Sequence, residues 1–354
     1  MTRQRILIYG AVLAVLALLV YLQFREWQTF DWGRFLQNSR DLAWRHVIHG
    51  VVLIYLAYVL RAIRWKIFLR PTRAHVSLTG LTSATLVGFT GLALLGRPGE
   101  LIRPYLIARR ASVSFSSQLA VWAVERIFDL AAFTALMVAG IFLPTKLRAF
   151  VADRPAYLHW VHVAGYFLSL LVVALFGLAV LMRYQGKAIA AWVENRFSHL
   201  AKNLGQRIAL RVREFAEGLD TIHSPMALLQ VATVSLAMWW LIAVSYKEVT
   251  HAYGAPMQDM NEAKVLLLLG SSMVGSMLQL PGVGGGSQLA TIEALDKVFQ
   301  IPHEIAVSCG ILLWLVSFVA VIPAGLLLAH HERLSLRAVA KESEKAEAED
   351  VVGA

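Results

Sequence analysis

The chain has 354 residues, of which 58% are hydrophobic and 16% charged, with a mean hydropathy of +0.60 and a net charge of +10. Because a soluble domain is nearer half apolar and a quarter charged, this composition excludes an ordinary soluble protein and predicts an all-α polytopic membrane protein. The basic residues cluster beside apolar runs, which favours anionic lipid headgroups over nucleic acid as partners. One cysteine, Cys309, excludes a disulfide framework, and without a metal-binding motif we expect no metal and no cofactor.

Eight hydrophobic segments follow one another along the chain. They run roughly over 6–22, 47–69, 78–95, 118–143, 159–182, 226–245, 263–280 and 304–329. The first continues into QFREWQTFDW without a small-residue cleavage site, so we interpret it as a retained helix and not as a signal peptide. Together the segments predict a single integral membrane domain over residues 1–330.

Two further stretches have a different character. Residues 183–224 carry apolar side chains at helical spacing, from Ile189 to Leu219, with basic residues on the other faces. Such a segment either lies on the inner leaflet or packs against another protein surface. The tail, 331–354, is rich in charged and small residues and is predicted to be disordered.

The distribution of basic residues predicts which connections face the cytoplasm. Eighteen lie in the first five residues, at 61–73, at 183–224 and in the tail, whereas 23–46, 144–158 and 246–262 together hold eight. The positive-inside rule therefore places both termini in the cytoplasm of a cell inner membrane. This assignment requires six full spans, with 78–95 and 263–280 returning to the side from which they enter.

Each of those two segments is followed by residues that can end a helix. GRPGE follows the first and LPGVGGGSQ follows the second, so we predict re-entrant helical hairpins at about 78–110 and 263–300. One hairpin would open from the cytoplasm and the other from outside, which makes an inverted repeat of the kind that marks binding sites in transporters. Chance placement of glycine and proline is the alternative explanation of the similarity.

Charged residues inside the apolar segments are the candidate functional residues. Ionisable groups at membrane depth are costly unless they pair or line a polar path. They then form either a structural salt-bridge network or an arginine site for a phosphate, which the planar guanidinium binds in a bidentate manner. The candidates are Arg97, Glu100 and Arg103 in the first hairpin, and Glu125, Arg126 and Asp129 in the span that follows it.

Four sequence blocks resemble one known family. GRPGELIRPYL, ERIFDL, LPGVGGG and the preceding YVLRAIRW are similar to the signature blocks of the lysylphosphatidylglycerol synthase transmembrane-region family, over nearly the whole chain. The resemblance implies a helical membrane protein with re-entrant segments that translocates or handles anionic or modified lipids. It adds to the predicted substrate-binding residues Arg64, Gly282, Gly284, Gly285 and Gln288.

The chain departs from the family pattern at four positions. Gly91 and Leu95 stand where the family commonly has asparagine and proline, Val283 replaces a glycine, and Gln288 occupies the place of an acid. The loss of that acid argues against a protonatable group in the second hairpin. Since no soluble aminoacyl-transferase domain follows in the sequence given, we expect this chain not to synthesise lysyl-lipid itself.

Three functions remain open at this point. The first is a flippase or transporter of anionic, aminoacylated or polyprenyl-linked lipids. The second is a membrane enzyme of glycolipid or polyprenyl-phosphate-sugar assembly, with Glu100, Glu125 or Asp129 as general base. The third is a scaffold that packs against a biosynthetic partner or a second copy. The absence of a nucleophile elbow or nucleotide loop favours the transporter over the enzyme.

Overall fold

The computed structural model describes most of the chain outside its ends and its middle. The described residues are 32–72, 76–142, 166, 169–170, 172–174, 177, 185, 188, 224–276, 279–280, 284–332 and 342. The predicted first helix at 6–22, most of the segment at 159–182, the amphipathic connection and the tail lie outside these residues.

The described part is helical. The helices are α1 (Trp32–Arg40), α2 (Trp44–Phe68), α3 (Leu78–Leu95), α4 (Ile102–Ala111), α5 (Phe115–Phe142), α6 (Pro225–His251), α7 (Glu262–Gly275), α8 (Gly286–Glu293), α9 (His303–Trp314) and α10 (Val321–His331). Single 3-10 or π turns occupy Arg70–Thr72, Arg97–Leu101, Ala255–Met257, Ala294–Val298 and Leu315–Val319. Two short strands, β1 (Gln279–Leu280) and β2 (Gly284–Gly285), pair antiparallel. The all-α class is therefore confirmed.

Three of the helices begin at residues that cap them. The side chains of Ser77, Ser224 and Asn261 accept hydrogen bonds from backbone N–H groups three residues later. Such caps satisfy donors that would otherwise lack a partner at a helix start. They explain why α3, α6 and α7 begin within one residue of the apolar runs predicted from sequence.

Four helical runs among the described residues are long and apolar enough to cross a membrane. They are Trp44–Phe68, Leu78–Leu95, Pro225–His251 and the run His303–His331 formed by α9 and α10. Helix α5 has 28 residues, so its length suffices, but it carries Glu125, Arg126 and Asp129 near its middle. Helix α7 has 14 residues and is about 21 Å long, short of the ~30 Å hydrocarbon core. The total of eight segments and six crossings stays a prediction.

Helices α2 and α6 pack together antiparallel at the centre of the molecule. The backbone N–H of Ala43 donates to the carbonyl of Ala252 at one end of the pair, and Arg70 donates to the Gln230 amide oxygen at 2.6 Å at the other. Between these ends, Ser245 Oγ donates to the carbonyl of Gly50 at 2.9 Å, where a Cβ on the glycine would be 3.0 Å from Val249. The absent side chain of Gly50 thus lets the two helices approach closely.

Helices α3 and α4 form a first hairpin that closes on itself. The chain turns at Gly96 (φ 71°), and a Cβ at Gly88 would lie 2.5 Å from Arg103 Cβ, so the two helices touch at glycine positions. Near the open end, Arg110 donates to the carbonyl of Gly80. The hairpin therefore begins and ends at one level, beside the Arg70 end of the central pair.

Helices α7 and α8 form a second hairpin of the same design. The strands β1 and β2 make its turn, and a Cβ at Gly275 would lie 2.1 Å from the carbonyl oxygen of Gly286. Its open end lies beside the other end of the central pair, where Lys247 forms an ion pair with Glu262 at the start of α7. The two hairpins consequently open in opposite directions.

The packing partners of the two halves also correspond. The first half consists of α2, α3, α4 and α5, and the second half consists of α6, α7, α8 and the α9–α10 run. Each hairpin packs against the last helix of the opposite half. Helix α3 meets α10 where Thr90 Oγ1 donates to the carbonyl of Val321 at 3.2 Å, and Gly140 of α5 lies against Leu266 of α7. The order of the helices and their packing partners therefore correspond between the two halves.

Candidate functional site

Three arginines and two carboxylates meet between helices α2, α4 and α5, which we call the arginine–carboxylate cluster. All are buried, and they come from separate parts of the chain. Their members are Arg61, Arg64, Arg103, Glu125 and Asp129.

The helical spacing brings these side chains to one place. Arg61 and Arg64 are three residues apart on α2, and Glu125 and Asp129 are four apart on α5, so each pair occupies one face of its helix. Arg103 lies in the first turn of α4 and reaches the same point because Gly88 leaves room for its backbone. The first hairpin thus completes a cluster that α2 and α5 begin.

Arg64 joins both carboxylates. Its Nη2 donates to Glu125 Oε1 at 2.5 Å, and its Nη1 donates to Asp129 Oδ1 at 2.7 Å and to Ser235 Oγ at 2.8 Å. Trp239 Nε1 also donates to Asp129 Oδ1 at 3.2 Å. Since the Arg64 side chain is wholly buried and its fork is engaged on both branches, it holds the cluster together.

Arg103 is bound to Glu125 through both of its terminal nitrogens. Its Nη1 donates to Glu125 Oε1 at 3.0 Å, and its Nη2 donates to Oε2. The guanidinium also lies 4.5 Å from the ring centroid of Trp65 and 5.2 Å from that of Phe89. The Arg103 fork, which the sequence suggested could hold a phosphate, is therefore occupied by a carboxylate of the protein.

Arg61 is the loosely held member of the cluster. Its Nη1 is 3.4 Å from Asp129 Oδ2 and 3.9 Å from Glu125 Oε1, which is long for a charge-assisted hydrogen bond. Its guanidinium lies 5.0 Å from the Phe89 ring centroid. Arg61 also lines a cavity, and its described contacts to the carboxylates are longer than those of Arg64.

The cavity beside Arg61 has a volume of about 120 Å³ and lies between the two halves of the molecule. Its lining is mostly apolar and aromatic, and Arg61 is its one charged residue among those the structure describes. The polar lining is completed by Tyr58, Tyr246, Ser272 and Ser317. A concave apolar site with few convergent polar groups is the usual form of a ligand site.

The charges of the cluster do not cancel. Three guanidinium groups face two carboxylates, which leaves one positive charge in excess among these five residues. Removing charges from water costs several kcal/mol per ion unless each is paired and hydrogen-bonded. Arg64, Arg103 and both carboxylates meet that condition, and the excess charge falls to Arg61.

Two predicted residues form a separate pair at the edge of the cluster. Arg126 Nη2 is 3.9 Å from Glu100 Oε2, and the Arg126 side chain is 43% exposed. Its guanidinium lies 5.3 Å from the Trp122 ring centroid. Arg97 belongs to the turn of the first hairpin, and its side chain lies outside the described residues.

The predicted residues of the second hairpin lie around its turn and return helix. Gly284 and Gly285 form β2, and the φ of +127° at Gly285 requires a glycine. Gln288 is in the first turn of α8, with its backbone against Gly310 of α9. Gly282 lies outside the described residues, and the binding role of this group stays a prediction.

The structure changes how two arginines enter the count of basic residues that predicted the membrane topology. Arg61 and Arg64 were counted among basic residues flanking a span, but both are buried and bound to carboxylates on α5. The reason is that α2 extends to Phe68, one turn beyond Arg64, and packs against neighbouring helices at this level. Sequence reasoning also missed Arg61 as a site residue, although its spacing of three from Arg64 was the available signal.

No group of three metal-ligating side chains occurs within the described parts of the chain. The carboxylates that could serve as ligands, Glu125 and Asp129, are bound to arginines.

Comparison with known proteins identifies relatives. The family model described as "Lysylphosphatidylglycerol synthase TM region" matches residues 7–325. "Glycosyltransferase AglD" of Haloferax volcanii is 25% identical over 273 residues, which cover 72% of this chain and 42% of that protein. A "UPF0104 membrane protein" of Methanothermobacter thermautotrophicus is 23% identical over 248 residues, 67% of this chain and 71% of that protein. No solved structure matches the chain.

Proposed function

Because this chain belongs to the lysylphosphatidylglycerol synthase transmembrane-region family, we propose that it translocates anionic or modified lipids between the leaflets of a membrane. The chain spans 42% of the length of AglD, so that protein's activity is not carried over as a whole. The proposal rests on the site and on the arrangement of the two halves.

The observation that carries the proposal is the position of Arg61. It brings the excess positive charge of the cluster to a cavity at the junction of the halves. A lipid phosphate in this cavity would neutralise that charge. Arg64, Arg103 and the two carboxylates would form the structural salt-bridge network that holds Arg61 in place. Arg61 would be the arginine that binds the phosphate. Both alternatives offered by the sequence would then apply, each to different residues of one cluster.

The paired hairpins supply a route for alternating access. Two antiparallel halves with hairpins that open in opposite directions are the arrangement in which a central site can be exposed to each side in turn. Arg110 donates to Glu332 at the end where the first hairpin opens, and Arg70 donates to Gln230 at the same end of the central pair. We assign this end to the cytoplasm of a cell inner membrane, with both termini on that side.

The test is lipid movement in liposomes that contain the purified full-length chain. Fluorescent phosphatidylglycerol is placed in both leaflets and the outer pool is quenched with dithionite. Active protein should render nearly the whole lipid pool quenchable, whereas protein-free liposomes protect about half. Arg61→Gln should lower the rate at least tenfold, while Arg109→Gln, an exposed basic residue of α4, should leave it unchanged. Absence of lipid movement by the wild-type chain would refute the function.

An enzymatic role in glycolipid assembly is the second candidate, since one relative is named a glycosyltransferase. A general base would have to come from Glu125, Asp129 or Glu100, and the first two are bound to arginines in short contacts. Glu100 is 29% exposed and lies 3.9 Å from Arg126, so it is the accessible carboxylate of the three. Mass spectrometry of the liposome lipids decides this: recovery of unaltered lipid supports translocation, and a modified lipid supports the enzyme.

A further inference from the structure

The two halves can be compared residue by residue at their hairpins. Gly91 of α3 and Gly275 of α7 are 184 positions apart, and a Cβ at either would collide with the return helix, at Ile102 and Gly286 respectively. Those two contact residues are also 184 positions apart. The same packing solution therefore recurs at a constant offset.

The next contact in each hairpin differs in chemistry. Gly88 lies against Arg103 in the first hairpin. At the same offset, Ser272 and Ser287 meet in the second, with their hydroxyl oxygens 2.7 Å apart. Tyr246 extends this pair, because its hydroxyl is 3.0 Å from Ser272 Oγ. The second half thus presents a chain of neutral hydroxyls where the first half presents a guanidinium.

The cavity lies where the equivalent faces meet. Tyr58 and Ile242 are equivalent by the same offset, as are Phe89 and Met273, and all four line the cavity. Its walls therefore combine the two half-sites, with Arg61 from one half and the hydroxyls of Tyr246 and Ser272 from the other.

From this geometry we infer that the cavity is a two-part headgroup site, selective for lipids whose phosphate is followed by an uncharged, hydroxylated group. The phosphate binds Arg61, and the hydroxylated group binds the Tyr246–Ser272 pair, since hydroxyls both donate and accept hydrogen bonds. The inference rests on the proposed function, because it assigns the transported lipid to the same cavity.

The charges argue against a cationic headgroup in this site. Neither carboxylate of the cluster lines the cavity, and both are bound to Arg64. An aminoacyl ammonium would therefore meet Arg61 and find no carboxylate among the described lining residues. The cavity has a volume of about 120 Å³ and would receive the headgroup of a lipid, with the acyl chains outside it.

The test uses the full chain in detergent and three pure lipids as probes. Phosphatidylglycerol has the phosphate and the hydroxyls, phosphatidic acid lacks the hydroxylated group, and lysylphosphatidylglycerol adds cationic charge. Binding is measured as the rise in unfolding temperature with lipid concentration. We expect phosphatidylglycerol to bind at least tenfold more tightly than lysylphosphatidylglycerol, and Arg61→Gln to weaken phosphatidylglycerol at least tenfold.

Two tyrosine variants test the hydroxyl half-site. Tyr246→Phe should reduce the preference for phosphatidylglycerol over phosphatidic acid at least threefold, while phosphatidic acid affinity stays within twofold. Tyr253→Phe is the matched control, because its hydroxyl bonds Ser308 at 2.8 Å and it does not line the cavity. It should leave the preference unchanged.

Equal binding of lysylphosphatidylglycerol and phosphatidylglycerol would overturn the inference, as would an unchanged preference in Tyr246→Phe. Both results are compatible with translocation of lipid in liposomes. Conversely, a chain that binds with the expected preference but moves no lipid would refute the proposed function and leave the selectivity of the cavity intact.

Discussion

Replacing Arg64 with glutamine should separate the structural part of the arginine–carboxylate cluster from its binding part. Arg64 is wholly buried and forms a 2.7 Å ion pair with Asp129 and a 2.5 Å ion pair with Glu125. Without it, Asp129 keeps only the 3.4 Å contact to Arg61 and the Trp239 N–H. Removing one partner of a buried ion pair costs about 3–5 kcal/mol, because the remaining charge stays buried and poorly paired.

The same substitution at Arg61 should have a small effect on stability. Its long contact to Asp129 and its place on the cavity wall limit the loss to about 1 kcal/mol. At roughly 2 °C per kcal/mol, Arg64→Gln should lower the unfolding temperature by about 6–10 °C and Arg61→Gln by about 2 °C. Lipid movement should fall at least tenfold in Arg61→Gln in spite of its near-normal stability.

Thermal unfolding of the purified variants in one detergent, without added lipid, is the assay. Arg109→Gln is the control for loss of a positive charge at an exposed position, and it should shift stability by less than about 0.5 kcal/mol. Equal destabilisation by Arg61→Gln and Arg64→Gln would show that the two arginines have the same structural role. An unaffected Arg64→Gln would refute the reasoning about the buried pairs altogether.

Three other predictions concern the hairpins and the membrane path. Arg103→Lys keeps the charge but loses the two-nitrogen contact to Glu125, so the unfolding temperature should fall by several degrees, and an unchanged value would contradict the importance of that contact. Gly275→Ala should destabilise the protein by more than about 2 kcal/mol, because the added Cβ would collide with the Gly286 backbone. Gly177→Ala is the control and should have little effect, because a Cβ there would have no atom within 4 Å. Equal destabilisation by both substitutions would argue against close packing in the second hairpin. Reporter fusions after residues 40, 150 and 255 should report a position outside the cell, and a fusion after residue 205 should report the cytoplasm. A position outside the cell for residue 205 would contradict the proposed topology and the inverted repeat across the membrane.

Much of the fold could be predicted because the helices are set by local patterns. Apolar runs in the sequence predicted α3 at its observed limits and the first residues of α6 and α7 to within one position. The membrane context makes such runs strong signals, since backbone groups at that depth must bond internally. The chain turns between α3 and α4 and between α7 and α8 at glycine-containing segments, and whether these helix pairs are re-entrant in a membrane stays a prediction.

The site could be predicted only in part. Charges inside apolar helices identified Arg103, Glu125 and Asp129, since each is costly unless paired. Sequence spacing could not show that Arg103 is taken by Glu125, or that Arg61 is the arginine facing a cavity, because both depend on how α2, α4 and α5 pack. The hydroxyl pair of the second hairpin was missed for the same reason: serines carry no distinctive signal until the repeat aligns them with charged residues.

The most direct test of the central claim is a structure of the full-length chain in lipid nanodiscs that contain phosphatidylglycerol. The account predicts headgroup density in the cavity, with the phosphate within about 3 Å of the Arg61 guanidinium and the glycerol hydroxyls near Tyr246. Lipid density confined to the outer surface of the protein, with the cavity closed by side chains, would contradict it.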